Sequence, residues 1–184
     1  MKIASLWRQA MGAGVIDDME NEYTSPSVNK IFDQLNGKAN AVYNFVMLYS
    51  GYMSEQHNYG VGIPINMVEV HTLTAIEENP GITVSQLANL WQRTNSALSQ
   101  TATKLEKKGY VIRRKDPNNA RNVHLYATKE GTELSLAHKS YDVLTVTQTL
   151  HELSQMCSME EIDHFFQVLD CYIQLLEQDG RKGK

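Results

Sequence analysis

The sequence predicts a mainly α-helical fold with one small β-hairpin. Three observations lead to this prediction. Apolar residues recur every three or four positions over a long stretch in each half of the chain, which is typical of amphipathic helices. Two short helical segments with cap residues lie between these stretches. Two short segments of alternating polarity then flank a turn-forming sequence, which is typical of a hairpin.

The composition is that of a globular protein whose charge is unevenly distributed. The chain has 184 residues, of which 42% are hydrophobic and 21% are charged, and a chain of this length can bury a core without disulfides. The net charge is −4, but residues 93–121 carry +6 and the remainder therefore carries −10. Such a basic segment indicates either a surface that binds the phosphates of a nucleic acid or an ordinary charged surface in contact with water.

Cysteine usage and hydropathy favour a cytoplasmic protein. The two cysteines, Cys157 and Cys171, are too few for a disulfide framework, and the default for each is a buried small hydrophobic residue. No run of eighteen apolar residues occurs, so we expect no membrane span. Residues 1–24 lack the apolar centre of a signal peptide and are interpreted as a mobile N-terminal extension.

The first long helix is predicted from Ser25, with Pro26 in its first turn, to about residue 57. Asn58 and Gly60 are the expected stop signals. A single surface helix is rarely about nine turns long, so a partner surface is expected along it.

Three short helices with recognisable ends follow. One is predicted from Asn66 to Glu78. The next opens at a capping box, in which Thr83 caps the helix and the side chain of Gln86 reaches back. The third is capped by Thr94 or Asn95 and closes at Gly109. Its apolar side (Ala97, Leu98, Thr101, Ala102 and Leu105) is expected to pack on Leu87, Ala88 and Leu90.

The opposite side of this third helix is lined with small polar side chains, which suit close approach to base edges and phosphates. A surface helix selected for stability alone would carry more Glu, Lys and Ala. Gln100 is the strongest candidate for reading a base, because its amide can pair with adenine through two hydrogen bonds. The predicted DNA contacts on this helix and the turn before it are Arg93, Thr94, Asn95, Ser96, Ser99, Gln100, Thr103 and Lys107.

A hairpin with basic residues around its tip comes next. Residues 110–116 and 121–127 read as strands on either side of the turn sequence PNNA. Because side chains alternate across a strand, Arg113, Arg114 and Lys115 cannot all face one partner. We favour Arg114 and Lys115 as phosphate contacts. Two short helices followed by such a hairpin describe a winged helix-turn-helix.

Two further helices complete the chain. Thr128 is expected to cap a helix that runs to about Leu153. Ser158 and Glu161 form a second capping box and open the last helix. The apolar face of that helix comprises Ile162, Phe165, Phe166, Leu169, Tyr172, Ile173 and Leu176.

The segment LANLWQRTNSALSQTATKLEKKGYVIRRKDPNNARNVHLYATKEG resembles the centre of the multiple-antibiotic-resistance regulator (MarR) family of winged helix-turn-helix transcription factors. The resemblance covers roughly residues 28–178. It implies a sequence-specific DNA-binding transcriptional regulator, a homodimeric repressor on a palindromic operator, with Arg121 inserted into the minor groove. The matching residues are Leu87-Ala88, Leu105 to Gly109, Asp116-Pro117, Arg121, Thr128 and Gly131.

Two positions of the hairpin depart from the family pattern. Asn119 stands where an aspartate usually orients the wing arginine, and Ala120 stands where a second arginine is usual. We therefore expect Asn119 to hold Arg121 more weakly than an aspartate would, or not at all, and we count both residues among the predicted DNA contacts. Together with the negative net charge, these departures motivate an alternative function, a winged-helix protein-interaction module that has lost specific DNA binding.

The resemblance also implies a pocket for a small-molecule effector, aromatic or phenolic, where the dimer helices meet the DNA-binding lobe. No cofactor is implied. The six histidines are scattered without a metal-binding spacing, so we assign no metal site. No nucleophile–base motif suggests an enzyme. The candidate pocket residues are Tyr43, Tyr49, Tyr52, Tyr59, Met67 and His71, although aromatic and Met residues at helical spacing more often belong to a core.

The predicted organisation has five parts. They are an N-terminal extension (1–24), a dimerisation helix (25–60), a DNA-binding lobe (61–130), C-terminal dimerisation helices (131–178) and a loose tail (179–184).

Overall fold

The structure, a computed structural model, describes residues 25–116 and 123–182. The predicted N-terminal extension and the tip of the hairpin, including Asn119 and Arg121, lie outside the described residues. The chain divides after Ser54 into two units. In the described part of the chain, the first unit consists of helix α1, Ser25–Ser54.

Helix α1 begins at the predicted residue but ends earlier than the sequence suggested. Gln56–His57 form a short strand, β1, which pairs antiparallel with β2, Ile65–Asn66. The Ile65 side chain is fully buried and anchors this ladder, so the backbone after Ser54 pairs with a strand rather than continuing the helix. The side chain of Asn58 accepts a hydrogen bond from the backbone of Gly60 at 2.9 Å and supports the turn between the strands.

The second unit is a helical lobe with a three-stranded antiparallel sheet, followed by two long helices. The strand order is β3-β5-β4, and β4 pairs with β5 from Val111↔Ala127 to Lys115↔Val123. The elements are α2 (Met67–Glu78), β3 (Ile82–Thr83), α3 (Val84–Leu90), α4 (Asn95–Lys107), β4 (Val111–Lys115), β5 (Val123–Ala127), α5 (Lys129–Ser154) and α6 (Met159–Lys182).

Cap residues fix the helix starts as the sequence predicted. The Asn66 side chain accepts from the backbone of Glu69, and Thr83 with Gln86 forms a complete capping box. Thr94, not Asn95, caps α4, because its hydroxyl accepts from the backbone N–H of Ala97 at 3.2 Å. Each such cap satisfies a backbone N–H group that the helix itself leaves without a partner.

The core of this unit lies where α2, α3, α4 and the sheet meet. Leu73, Ile76, Leu87, Leu105 and Leu125 are all fully buried. The start of α5 packs so closely on this core that a Cβ atom on Gly131 would lie 2.1 Å from the backbone oxygen of Tyr110. Only glycine permits this approach.

Three sequence expectations are corrected. Leu90 is 62% exposed and does not join the core, because α3 ends there and the chain turns away. Both Cys157 and Cys171 are exposed rather than buried. Helix α6 continues to Lys182, past the tail boundary at 178. Among the described residues, no helix combines the length and apolar character needed to cross a membrane.

Candidate nucleic-acid interface

Helices α3 and α4 form the helix pair, and a short turn sets the angle between them. Gln92 adopts a φ of 50°, in the left-handed region that favours glycine. The backbone N–H of Arg93 then donates to the carbonyl of Ala88 at 2.9 Å, which folds the turn back onto α3. A non-glycine residue in this conformation costs roughly 1–2 kcal/mol, so the packing of the two helices must hold it there.

Helix α4 has the two sides that its sequence predicts. Leu98, Ala102 and Leu105 are at most 2% exposed and pack into the core. The opposite side carries polar residues whose side chains are not used by the core. Arg93, Thr94, Asn95, Ser96, Gln100 and Lys107 are exposed, and Ser99 and Thr103 are half-buried.

Arg113 ties the first strand of the hairpin to α4. Its guanidinium Nη2 donates to Thr103 Oγ1 at 2.8 Å and to the Ser99 carbonyl at 3.3 Å. Its Nε lies 3.2 Å from a carboxylate oxygen of Glu106. Thr103 also donates its own proton to the Ser99 carbonyl at 2.9 Å. The hydroxyl of Thr103, a predicted DNA contact, is thus engaged within the protein and orients Arg113.

A buried carboxylate fixes the C-terminal end of α4. The Glu69 side chain is only 7% exposed, and Lys108 Nζ lies 2.5 Å from its Oε2. Lys104, whose side chain is 64% exposed, lies 3.9 Å from the same carboxylate. The pair joins α2 to the end of α4 and withdraws Lys108 from the exposed basic set. Sequence reasoning missed Glu69, because its partner Lys108 lies 39 residues away along the chain, and it assigned no contact within the protein to Arg113.

The exposed residues of β4 continue the basic surface. Arg114 and Lys115 are exposed, and the Arg114 guanidinium lies 5.1 Å from the centre of the Tyr126 ring. This stacking holds the arginine against the sheet. The sequence-based preference for Arg114 and Lys115 over Arg113 agrees with this geometry, although their contact with DNA stays a prediction.

The candidate effector residues fall on different elements. Tyr43, Tyr49 and Tyr52 lie on α1, where Tyr49 stacks on Phe45 at 5.6 Å between ring centres and lies 6.1 Å from Tyr52. Met67 and His71 lie on α2. His71 borders an open cleft of about 370 Å³ lined also by Thr74, Ala75, Glu78, Asn79, Leu90 and Trp91.

The fold also assembles a group that sequence spacing could not reveal. His71 of α2 meets His138 and Asp142 of α5, and their potential ligand atoms all lie within 4.8 Å of one another. Within one helix, only His138 and Asp142 have a recognisable spacing, four residues apart. Their proximity results from the packing of α2 against α5, which spacing along the sequence does not predict.

The geometry of the helix pair and its hairpin agrees with a known family. Residues 65–123, from β2 to the first residue of β5, match the sequence model of the MarR family. The similarity to the MarR family thus covers the helix pair and the first strand of the hairpin.

Relatives and solved structures agree with this assignment. An uncharacterised HTH-type transcriptional regulator of Bacillus subtilis (strain 168), YhjH, is 29% identical over 83 residues, which are 45% of this chain and 47% of that protein. The chain thus spans about half the length of this curated relative. The comparisons confirm the predicted family resemblance and the winged-helix fold, and they support a DNA-binding transcriptional regulator.

Two similar structures were solved with DNA. FabT from Streptococcus pneumoniae in complex with DNA is 24% identical with a TM-score of 0.56, over 80% of this chain and 98% of that chain. The S. aureus MepR–DNA complex is 19% identical with a TM-score of 0.51, over 83% and 98%. At these identities the likeness concerns the fold.

Proposed function

We propose that this protein is a homodimeric, sequence-specific DNA-binding regulator that represses transcription and is released by a small-molecule effector. The observation that carries the proposal is the exposed polar side of α4 on a MarR-family helix pair. In such a pair the second helix enters the major groove. FabT and MepR, which resemble this chain in fold, were solved with DNA.

The exposed residues of α4 divide into two roles. Asn95, Ser96 and Gln100 expose short polar groups that suit base edges. Arg93 and Lys107 lie at opposite ends of the helix and suit phosphates. The hairpin adds phosphate contacts from Arg114 and Lys115, and Arg121 reads the minor groove. Thr94, Ser99 and Thr103 support this surface.

A homodimer is proposed from the apolar residues that the long helices leave exposed. On α6, Phe165, Phe166, Tyr172, Ile173 and Leu176 are between 45% and 58% exposed. On α1, residues 42–49 expose a second apolar set. Exposed apolar surface of this extent marks an interaction surface. A two-fold dimer would present two α4 helices to a palindromic operator.

The DNA-binding test compares lysines that differ only in position. DNA is first selected from a random pool with the full chain. The salt dependence of binding is then measured for wild type, Lys107→Gln and Lys38→Gln. Lys38 is exposed on α1 and is not one of the proposed DNA contacts. Each lost phosphate contact lowers the slope of log K against log salt by about 0.9. A dimer loses two such contacts, so we expect a reduction of about 1.8 for Lys107→Gln and none for Lys38→Gln.

Base reading is tested separately. Gln100→Ala should cost about 1–3 kcal/mol for the preferred base at one operator position and flatten the preference there. If affinity falls but the base preference does not change, Gln100 contacts the DNA backbone rather than a base. If wild type selects no sequence but captures a protein partner, the interaction-module function replaces this one.

Repression and release are tested with a reporter. A promoter carrying the selected operator should be silenced by the protein and restored by a ligand that binds one dimer conformation better than the other. A phenolic panel tests the effector class. Activation instead of silencing would contradict the repressor role and leave DNA binding intact.

A further inference from the structure

The turn between α3 and α4 holds a residue in a conformation that its side chain disfavours. Gln92 has a φ of 50°, whereas the other described residues with a positive φ are all glycines. In this left-handed region a Cβ atom lies too close to the backbone, so glycine is the usual residue there. A side chain that is retained in such a position indicates a function for that side chain.

Gln92 closes α3 in a Schellman motif, a common helix ending. Its backbone N–H donates to the Asn89 carbonyl at 3.3 Å, and the N–H of Arg93 donates to the Ala88 carbonyl at 2.9 Å. In this motif the residue after the cap is usually glycine, and an apolar contact made by the next residue often accompanies the hydrogen bonds. Here the residue after the cap is glutamine, and the next one, Arg93, is charged and exposed. Neither residue stabilises the turn itself.

Helix α4 ends in the same motif with the usual residues. The N–H groups of Gly109 and Tyr110 donate to the carbonyls of Glu106 and Leu105, both at 3.0 Å. Gly109 has a φ of 81°, and no atom lies within 4 Å of the position that a Cβ atom would take. Glycine is therefore required there by the backbone conformation alone. Tyr110 and Leu105 both belong to the buried core. The chain thus uses glycine where the motif serves only the fold.

The Gln92 side chain lies beside the surface proposed to meet DNA. It is exposed, as are Arg93 and Thr94, which follow it, and Thr94 caps α4. Because the N-terminal residues of the second helix of such a pair contact base edges, the turn that precedes them lies close to the DNA. Among the described residues, the Gln92 amide forms no hydrogen bond that would stabilise the turn. Its two N–H donors are therefore available to a ligand.

We propose that Gln92 donates a hydrogen bond from its side-chain amide to a phosphate of the bound DNA, at the edge of the groove that α4 enters. Glutamine is among the residues that contact phosphate oxygens, and such contacts fix the register of a protein on the duplex without reading its sequence. Arg93 supplies a charge at this end of α4, and Gln92 adds a directional bond without charge. The contact rests on the DNA-binding function proposed above and extends its set of residues.

This contact explains why a residue that disfavours the turn is retained there. Gln92→Gly would relieve the backbone of α3 but remove the amide. Stability and DNA binding should therefore change in opposite directions, as they do where a functional residue is kept at the expense of stability.

The test separates the backbone conformation from the amide with two variants of the full chain. Gln92→Gly removes both the strain and the amide, whereas Gln92→Met keeps a long unbranched side chain and removes only the amide. Thermal unfolding should show a midpoint about 2–4 °C higher for Gln92→Gly and unchanged for Gln92→Met. Gly109→Gln should lower the midpoint, because it introduces the same strain into the motif that closes α4.

Binding to the DNA selected with wild type is measured by fluorescence anisotropy at several salt concentrations. Both Gln92 variants should bind at least about tenfold more weakly, since a hydrogen bond to a charged group is lost. The loss should be equal for all sequence variants of the operator, and the salt slope should stay that of wild type because no charge is removed. Gln155→Met, at the exposed end of α5, should leave the affinity unchanged.

Four results would overturn the contact. The first is a more stable Gln92→Gly that binds the selected DNA as tightly as wild type. The second is weak binding by Gln92→Gly with wild-type affinity in Gln92→Met, which would identify flexibility of the turn as the cause. A loss confined to one operator base pair would assign the amide to a base edge instead. Finally, if wild type selects no DNA at all, the proposed function fails together with this contact, whereas the first three results leave that function intact.

Discussion

Helices α4 and α6 are both amphipathic, but they leave opposite kinds of surface exposed. In α4 the apolar side, with Leu98, Ala102 and Leu105, is buried within the same chain, and the exposed side is polar. Among the residues of α6 whose side chains are described, only Ile162 is buried. The rest of its apolar face, with Phe165 among it, is exposed, except Leu169, which is half-buried.

This difference shows which apolar surface one chain buries by itself and which it leaves exposed. The apolar side of α4 is matched by α2, α3 and the sheet, so its geometry is fixed within the chain. The face of α6 has no comparable cover in the described residues. Apolar area is worth about 25 cal/mol per Å² removed from water, so a partner that covers this face would gain substantially.

The largest effect is expected from charging the face of α6. Phe165→Glu combined with Ile173→Glu should convert the proposed dimer to monomer. Buried hot-spot residues are each worth roughly 2 kcal/mol or more, so the dissociation constant should rise by at least about a thousandfold. Sedimentation equilibrium over a range of concentrations measures it.

A matched control adds the same charge elsewhere on α6. Gln167 and Gln174 are exposed polar residues of this helix, and Gln167→Glu with Gln174→Glu should leave the dimer unchanged. If both double variants dissociate equally, charge rather than apolar contact governs association. If neither does, the contrast between α4 and α6 is wrong.

The second prediction compares one leucine from each helix. Leu105 is fully buried, and Leu105→Ala should lower the free energy of unfolding by about 2–5 kcal/mol. Leu176 is 58% exposed, and Leu176→Ala should lower the free energy of unfolding only by weakening the dimer. Urea unfolding at several protein concentrations distinguishes them: the loss for Leu105→Ala should not depend on concentration, whereas that for Leu176→Ala should. A concentration-dependent loss for Leu105 would contradict its place in the core of one chain.

Sequence patterns predicted the parts of the fold that local physics decides. Helix periodicity located the buried side of α4, and cap residues such as Thr83 and Thr128 marked helix starts. Local patterns did not predict the features that depend on residues far away along the chain or on where an element ends. Helix α1 ends at Ser54, earlier than predicted, because the residues that follow pair with β2. Leu90 is exposed because its helix ends there.

In the candidate site, too, local patterns predicted some features, whereas contacts between elements were not predicted. Alternation along β4 indicated that Arg113, Arg114 and Lys115 cannot all face one partner, and the separate preference for Arg114 and Lys115 agrees with their exposure. It did not predict that Arg113 would reach Thr103, nor that Glu69 would hold Lys108, because these contacts depend on packing between elements. The proximity of His71, His138 and Asp142 was missed for the same reason. The predicted DNA contacts on α4 are exposed except Ser99 and Thr103, and their function stays a prediction.

The smallest effect concerns the two capping boxes, which differ in one ionisable group. At α3 the box pairs Thr83 with the uncharged Gln86, whereas at α6 it pairs Ser158 with Glu161. The Ser158 backbone N–H, and then its hydroxyl, lower the pKa of Glu161. A carboxylate with a lowered pKa stabilises the folded state above its unfolded pKa, and this contribution is lost as pH falls through the folded value. Only the start of α6 should therefore loosen in acid.

The measurement is the amide chemical shift of Ser158 as a function of pH, with that of Thr83 as an internal reference. The Ser158 resonance should titrate with a midpoint below the ordinary glutamate pKa, while Thr83 stays constant. Glu161→Gln recreates the uncharged pairing of α3 and should abolish the titration while keeping the hydrogen bond. A midpoint at the ordinary glutamate value would show that the box does not form in solution. Titration that persists in Glu161→Gln would assign it to another acid, and the start of α6 would then owe its pH dependence to tertiary contacts rather than to its cap.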